Sequence, residues 1–421
     1  MKSDTIHSLD DHFYRHESGR LTSLLTSRFG LQNIELIEDA VQEALLRSLD
    51  SWKLGGLPDN PPAWLYRVAT NCVLDALRRQ QTVKKSSAEL QQHQARLHAE
   101  SQSEPGACSD SNEEESILRM MCVCCHEKLS AEARISLSLK TLCGFSIAEI
   151  SQGLLTNTET TKKRITRAKK FFIDERIPFE IPVDDAFHKR IESMHLVLYL
   201  LFTEGYNSSR PDTLIRREIC AEAIRLCQRL IDREEFSTPA THALLALMLF
   251  HAARFEARLD NEGCILLMDQ QDRGLWDKSL IAAAAEQLQF AATGRELTRY
   301  HLEAGIAATH CLAPSFKETN WNAILKSYDL LMKFYPSPVV ALNRAVVIAQ
   351  LEGPQKGIKA IQDIRGMELL KNYHLLEATL GEMYLRCNEL SKARSYFLQA
   401  RDKTTSHTEQ LLLDQKLKKC E

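Results

Sequence analysis

Apolar residues recur every three or four positions along almost the whole chain, whereas alternation of aromatic and β-branched residues is nearly absent. That spacing lines one face of a helix and gives a strand no consistent buried side. An all-α fold is therefore expected, with at most a short hairpin near Leu259–Met268, where Asp260, Asn261, Glu262 and Gly263 offer turn chemistry. Two interruptions divide the pattern. Residues 81–115 are polar, rich in Gln, Ser, Glu and His, and nearly free of large apolar groups. Such a segment cannot bury enough surface to order itself and reads as a flexible linker. Near Ile177–Asp185 two prolines break the helical spacing. The 421 residues thus divide into 8–80, 116–176 and 186–421.

The net charge is −3, so contact with nucleic acid has to come from a local basic patch. The most apolar run, Met194–Phe202, has about half the ~18 residues of a membrane span and reads as a buried helix. The N-terminus (MKSDTIHSLDDHFYRH) has no apolar export core, so a cytoplasmic protein with reduced thiols is expected. Among its 12 cysteines, Cys122, Cys124 and Cys125 cluster beside His126. Their spacing is too tight for a zinc knuckle and no second ligand pair follows, so they read as small hydrophobes on a helix.

In the first segment, Leu36–Trp52 places Val41, Leu45 and Leu49 along one face and Glu38, Asp39, Gln42 and Glu43 over much of the remainder. After a turn at Gly55, Gly56, Pro58 and Pro61 comes PPAWLYRVATNCVLDALRRQ, with Pro62 suited to a first helical turn. Trp64, Leu65, Val68, Cys72, Leu74 and Leu77 form its apolar side; Arg67, Asn71, Arg78 and Arg79 add cations and an amide. Cations meet phosphates, amides read base edges, and aromatics stack on exposed bases.

In the second segment, Ser130, Ser146 and Asn157 or Thr158 are successive helix caps, giving three short helices and tight turns in a helix-turn-helix pattern. The last helix, about Glu159–Ile173, carries Lys162, Lys163, Arg164, Arg167, Lys169 and Lys170 against Glu159, with Ile165, Ala168 and Phe172 as its apolar stripe. The N-terminal part of such a helix enters the major groove while later cations hold phosphates.

The ordered pair DAVQEALLR and AWLYRVATNCVLDALRR, followed by the basic helix, resembles the sigma-70 family, specifically its extracytoplasmic-function group. That resemblance implies that Asp39, Gln42, Glu43 and Arg47 face the clamp of the RNA polymerase core. It implies that Trp64, Arg67, Asn71, Asp75, Arg78 and Arg79 lie on or near the melted strand of the −10 promoter element. In the second segment it implies that Thr160, Thr161, Lys162, Lys163, Arg164 and Arg167 contact the −35 element; Asn157 stands where the family usually has proline. No bulky domain separates the two modules, as in minimal sigma factors. The alternative is a helix-turn-helix regulator that never joins the polymerase, which would leave DAVQEALLRSL followed by WLYRVATN without a purpose.

The remaining segment, from His374, resembles a tetratricopeptide repeat, with Leu380, Gly381, Tyr384, Ala393, Phe397 and Ala400 at its characteristic positions and Glu377 in place of the early tryptophan. A degenerate copy holds Ala345, Gly357, Ile361 and Ile364, and a third is expected to include Ala243–Ala253. A period near 34–36 residues implies stacked helical hairpins with a concave binding surface. The stretches LYLLFTEGYNSS and LMDQQDRGLWDKSLI complete a resemblance to a subgroup with C-terminal repeat extensions, which implies a regulatory extension acting on an unidentified ligand or partner. Glu204, Asp269 and Asp272 are the candidate acids of an enzyme reading. No nucleophile, glycine loop or ligand spacing accompanies them, so no enzyme and no cofactor is expected, and buried salt links are the expected role of these acids.

Overall fold

Helical spacing translates directly into architecture. The computed structural model describes residues 11–84, 110–154, 156–208, 214–260 and 262–421. Regular structure among them is helical, apart from an isolated antiparallel bridge between Leu259 and Ile265. That bridge is the expected hairpin: Gly263 turns at φ 79°, and Asp260 Oδ1 accepts the amides of Glu262 and Cys264 at 2.9 and 2.8 Å. No described helix is long and apolar enough to cross a membrane.

The chain forms two compact units, residues 1–197 and 198–421. In the first, α1 (Asp11–Phe29) packs on α2 (Ile34–Gly55), α3 (Pro61–Lys84) and α4 (Asp110–Cys124). Leu21, Leu25, Ile37, Val41, Trp52, Leu65, Ala69 and Val73 fill the core between α1, α2 and α3. The helix-turn-helix follows as α5 (Ala131–Thr141), α6 (Ile147–Gly153) and α7 (Thr158–Asp174). Helix α4 corrects the expected linker. Ile117, Leu118, Met120 and Met121 are buried, and they hold a helix that begins within the segment 81–115. The middle of that segment, 85–109, lies outside the described residues.

The boundary expected before residue 186 is also shifted. Helix α8 (Asp184–Tyr206) starts in the first unit. There Arg190 donates to the carbonyl of Cys122 and Arg134 Nη1 donates to Ser193 Oγ at 2.6 Å. Two prolines mark where the helix begins, and tertiary bonding decides which unit its first turns join. Met194–Phe202 lies inside α8, as expected for a buried helix.

The second unit continues with α9 (Arg217–Ile231), α10 (Pro239–Ala252), α11 (Lys278–Ala291), α12 (Arg299–Leu312), α13 (Trp321–Phe334), α14 (Pro338–Glu352), α15 (Pro354–Gln362), α16 (His374–Arg386), α17 (Leu390–Lys403) and α18 (His407–Lys418). Sequence neighbours pack against each other along this series. The small residues mark the closest approaches. A Cβ at Gly381 would stand 2.7 Å from the Phe397 ring, and one at Gly357 would stand 2.6 Å from Ala349 Cβ. Hairpins α14–α15 and α16–α17 therefore pack at distances that only glycine permits at these two positions.

Candidate nucleic-acid interface

Helix α3 begins behind the turn at Asn60, whose Oδ1 accepts the Ala63 amide at 3.1 Å. Leu65, Ala69 and Val73 point into the core. With that face fixed, Arg67, Asn71, Asp75, Arg78 and Arg79 emerge together on the exposed side. Arg78 Nη1 holds Asp75 Oδ1 at 3.0 Å. Trp64, half-buried, meets Trp52 edge to face with ring centroids 5.4 Å apart. Phe13 and Tyr14 lie against the same Trp52, each at 6.4 Å. The result is an aromatic cluster at one end of a polar, cation-bearing stripe. Phe13 and Tyr14 were not expected in it; an aromatic pair at the start of α1 was the only signal, and its partner lies 38 residues on.

The helix-turn-helix is built by local caps. Ser130 Oγ accepts the Ala133 amide. Ser146 and Glu149 form a reciprocal capping box, with Glu149 Oε2 accepting the Ser146 amide at 2.9 Å and Ser146 Oγ accepting the Glu149 amide at 3.2 Å. Asn157 Oδ1 accepts the Thr160 amide at 2.7 Å and so starts α7 without a proline. Ile165, Ala168 and Phe172 are buried, which leaves Lys162, Lys163 and Arg167 exposed and Thr160 and Arg164 half-exposed. Glu159 lies within 3.3 Å of Lys163 and offsets a small part of this basic face.

A helix-turn-helix with a basic outer helix, in one unit with a tryptophan-capped polar stripe, has counterparts among known proteins. Residues 13–83 match the model of sigma-70 region 2, and residues 119–172 match that of sigma-70 region 4. The chain belongs to the sigma-70 family. Residues 190–292 match a family of unknown function, DUF6596. An uncharacterized protein of Rhizobium meliloti (strain 1021) is 32% identical over 368 residues, which is 87% of this chain and 85% of that protein. No solved structure matches.

As a sigma factor the chain acts in transcription initiation, with RNA polymerase core and promoter DNA as partners. Region 2 presents Asp39, Gln42, Glu43 and Arg47 together on the exposed face of α2, where Arg47 Nε pairs with Glu43 Oε1 at 2.8 Å. Leu49 corrects the expected apolar stripe, since 40% of it is exposed. The buried line is Ile37, Val41, Ala44, Ser48 and Trp52. Steps of four residues overshoot a helical turn by about 40° each, so the third member of a series in fours leaves the core.

Region 4 yields a second correction at Thr161. It is fully buried, and its hydroxyl accepts from Ser151 Oγ at 2.9 Å. It fastens α6 to α7 and stands apart from the exposed basic face. Lys169 is buried as well and pairs with Glu38 of region 2. Arg15 Nη2 reaches Glu149 of the capping box at 2.9 Å, and a Cβ at Gly19 would stand 1.9 Å from the Leu142 carbonyl oxygen. Regions 2 and 4 are thus in intimate contact within this unit.

Cys122, Cys124 and Cys125 are buried beside these contacts, at the end of α4. Burial pushes the thiols of Cys122 and Cys125 up to about 12 and that of Cys124 well above its ordinary value. His126 is held down to about 4 by burial and by Arg190. The acids of the enzyme reading are not the expected buried links. Asp269 and Asp272 are exposed, and Asp272 Oδ1 is engaged by the Gly274 amide at 2.7 Å. Glu204 lies half-exposed in α8.

Proposed function

We propose that this chain is an alternative sigma factor of the extracytoplasmic-function group. In this reading residues 8–80 dock on the polymerase clamp and open the −10 element, and residues 116–176 bind the −35 element. Residues 198–421 form a regulatory extension of tetratricopeptide-like hairpins. The clamp contacts are Asp39, Gln42, Glu43 and Arg47. The melted strand meets Trp64, Arg67, Asn71, Asp75, Arg78 and Arg79. The −35 duplex meets Thr160, Lys162, Lys163, Arg164 and Arg167, with Thr161 in a supporting role beneath them.

The observation that carries the proposal is the α3 stripe. A plain helix-turn-helix regulator gains nothing from an exposed Arg67–Asn71–Asp75 line that ends on a half-buried tryptophan. Melting needs exactly-placed chemistry of this modest kind only: flipped bases captured on aromatic and polar groups offset the cost of unpairing. The test uses Trp64→Ala and Asn71→Ala. Both variants are expected to bind core polymerase as the parent does. Both should fail to raise the fluorescence of 2-aminopurine placed in the −10 element. Normal opening by both variants contradicts the assignment of α3.

A further inference from the structure

The sequence HAARFEAR puts His251, Arg254 and Arg258 on the end of α10 and the turn beyond it. Arg254 and Arg258 are only 7% and 9% exposed. The segment Leu267–Asp277 brings a third arginine to them. Gln271 Oε1 accepts from Arg254 Nε at 3.2 Å. Two guanidinium groups lie over the Trp276 ring, that of Arg254 5.6 Å and that of Arg273 4.4 Å from its centroid. Arg258 stacks on Tyr206 at 3.8 Å and donates to its carbonyl. Arg273 Nη1 donates to the carbonyls of His310 and Ala313, both at 2.8 Å.

The charge of Arg254 thus acts on both Arg258 and Arg273, and the acids on the same segments are engaged elsewhere or stand in solvent. Asp272 holds the Gly274 amide. Asp277 caps α11 through the amides of Ser279 and Leu280. Glu256 pairs with Arg217. Asp269 is exposed. Among the described residues no carboxylate is paired with Arg254, Arg258 or Arg273. Arginine cannot shed its proton to escape burial, and an uncompensated buried charge costs several kcal/mol.

Four polar atoms here are buried and find no hydrogen-bond partner among the described residues: Arg273 Nη2, Trp276 Nε1, His251 Nδ1 and His310 Nδ1. Both imidazoles are kept neutral, His251 down to about 3 and His310 down to about 4, by burial first and then by the neighbouring arginines. They therefore add hydrogen-bonding groups and no further charge.

We propose that this cluster is the binding site of a phosphate-bearing small molecule. A phosphate monoester is close to a dianion at neutral pH and offers several strong acceptors. It offsets more of a triple positive charge than a carboxylate does, and guanidinium forks match its oxygens. The orphaned Nη2 and indole N–H are the donors it would satisfy. This site belongs to the C-terminal unit and stands whether or not the sigma reading of the N-terminal unit holds.

The test titrates the full chain with inorganic phosphate and pyrophosphate, followed by phosphorus NMR and calorimetry, against acetate and chloride at equal ionic strength. Saturable binding at one site is expected, with no binding of acetate. Arg273→Lys keeps the charge and loses the fork, and should weaken binding roughly tenfold or more. The combined Lys162→Ala, Lys163→Ala and Arg167→Ala variant should bind phosphate as the parent does. Hydrogen exchange on the unaltered chain supplies a readout that needs no variant: pyrophosphate should protect amides around 251–258, 271–276 and 310–313. No saturable binding overturns the proposal. So does binding that follows the basic face of α7, or protection confined to α7.

Discussion

The basic face of α7 and the arginine cluster around Trp276 use the same chemistry in opposite settings. Lys162, Lys163 and Arg167 stand in solvent, where their charge costs nothing and remains available to a long polyanion. Arg254 and Arg258 have been taken out of water and fixed against rings and carbonyls. Lys169 is a third case within α7 itself: it is buried, yet Glu38 compensates it. What separates the three is the presence of an anion. Exposed cations need none, Lys169 carries its own within the fold, and the cluster has none among the described residues. Exposed cations can read many partners loosely, while buried and pre-oriented ones suit one compact partner.

That comparison can be broken in four places. Among single substitutions at neutral pH, the largest effect is expected at the compensated pair. Lys169→Met leaves the Glu38 carboxylate buried without its cation, which should cost about 3 kcal/mol in denaturant unfolding of the first unit. Adding Glu38→Leu should recover most of that loss. If the single variant is as stable as the parent, the ion pair has no structural weight.

Acid should act next, on the second unit. The ordinary histidine value is 6.5, and His251 is depressed to about 3. Below 6.5 the unfolded chain binds a proton that the folded chain refuses until about 3. Stability is therefore fully present above 6.5 and falls through that window by about 1.4 kcal/mol per pH unit. Melting curves of the parent and His251→Gln between these limits should converge on acidification. Parallel curves would mean that His251 titrates normally.

Arg254→Met should be nearly silent, within about 1 kcal/mol, because it removes a buried charge that nothing compensates and keeps most of the volume. A loss as large as that of Lys169→Met would mean that the cluster is balanced within the protein. The smallest effect on stability is expected at Arg164→Ala combined with Arg167→Ala, about 0.5 kcal/mol or less. The salt slope of promoter binding should nonetheless fall by roughly 2. An unchanged slope removes both residues from the phosphate-contacting set.

Much of this molecule is legible in its sequence alone. Caps are local, so Ser130 and Ser146 announced α5 and α6 at their true starts, and Asn157, one of the two caps the sequence offers for α7, is the one used. The apolar stripe Ile165, Ala168 and Phe172 fixed which cations of α7 face outward. What failed depended on distance along the chain or on rotation about a helix. Glu38 and Lys169 are 131 residues apart, and nothing local links them. Thr161 has the residue type of a DNA contact, yet it sits one step around the helix and is consumed by Ser151. In the sequence, Asp269 and Asp272 read as candidate chemistry, while in the structure the half-buried Arg273 lies over the buried Trp276. Their significance rests on partners in the turn after α10 and in α12.

The most direct test of the central claim is run-off transcription. Core RNA polymerase is incubated on linear genomic fragments with and without the full chain, and core binding is measured in the same mixtures. The account predicts discrete transcripts that require the chain and start downstream of a shared pair of −35 and −10 elements. A mixture with no new transcript, in which the chain also fails to bind core polymerase, would contradict it.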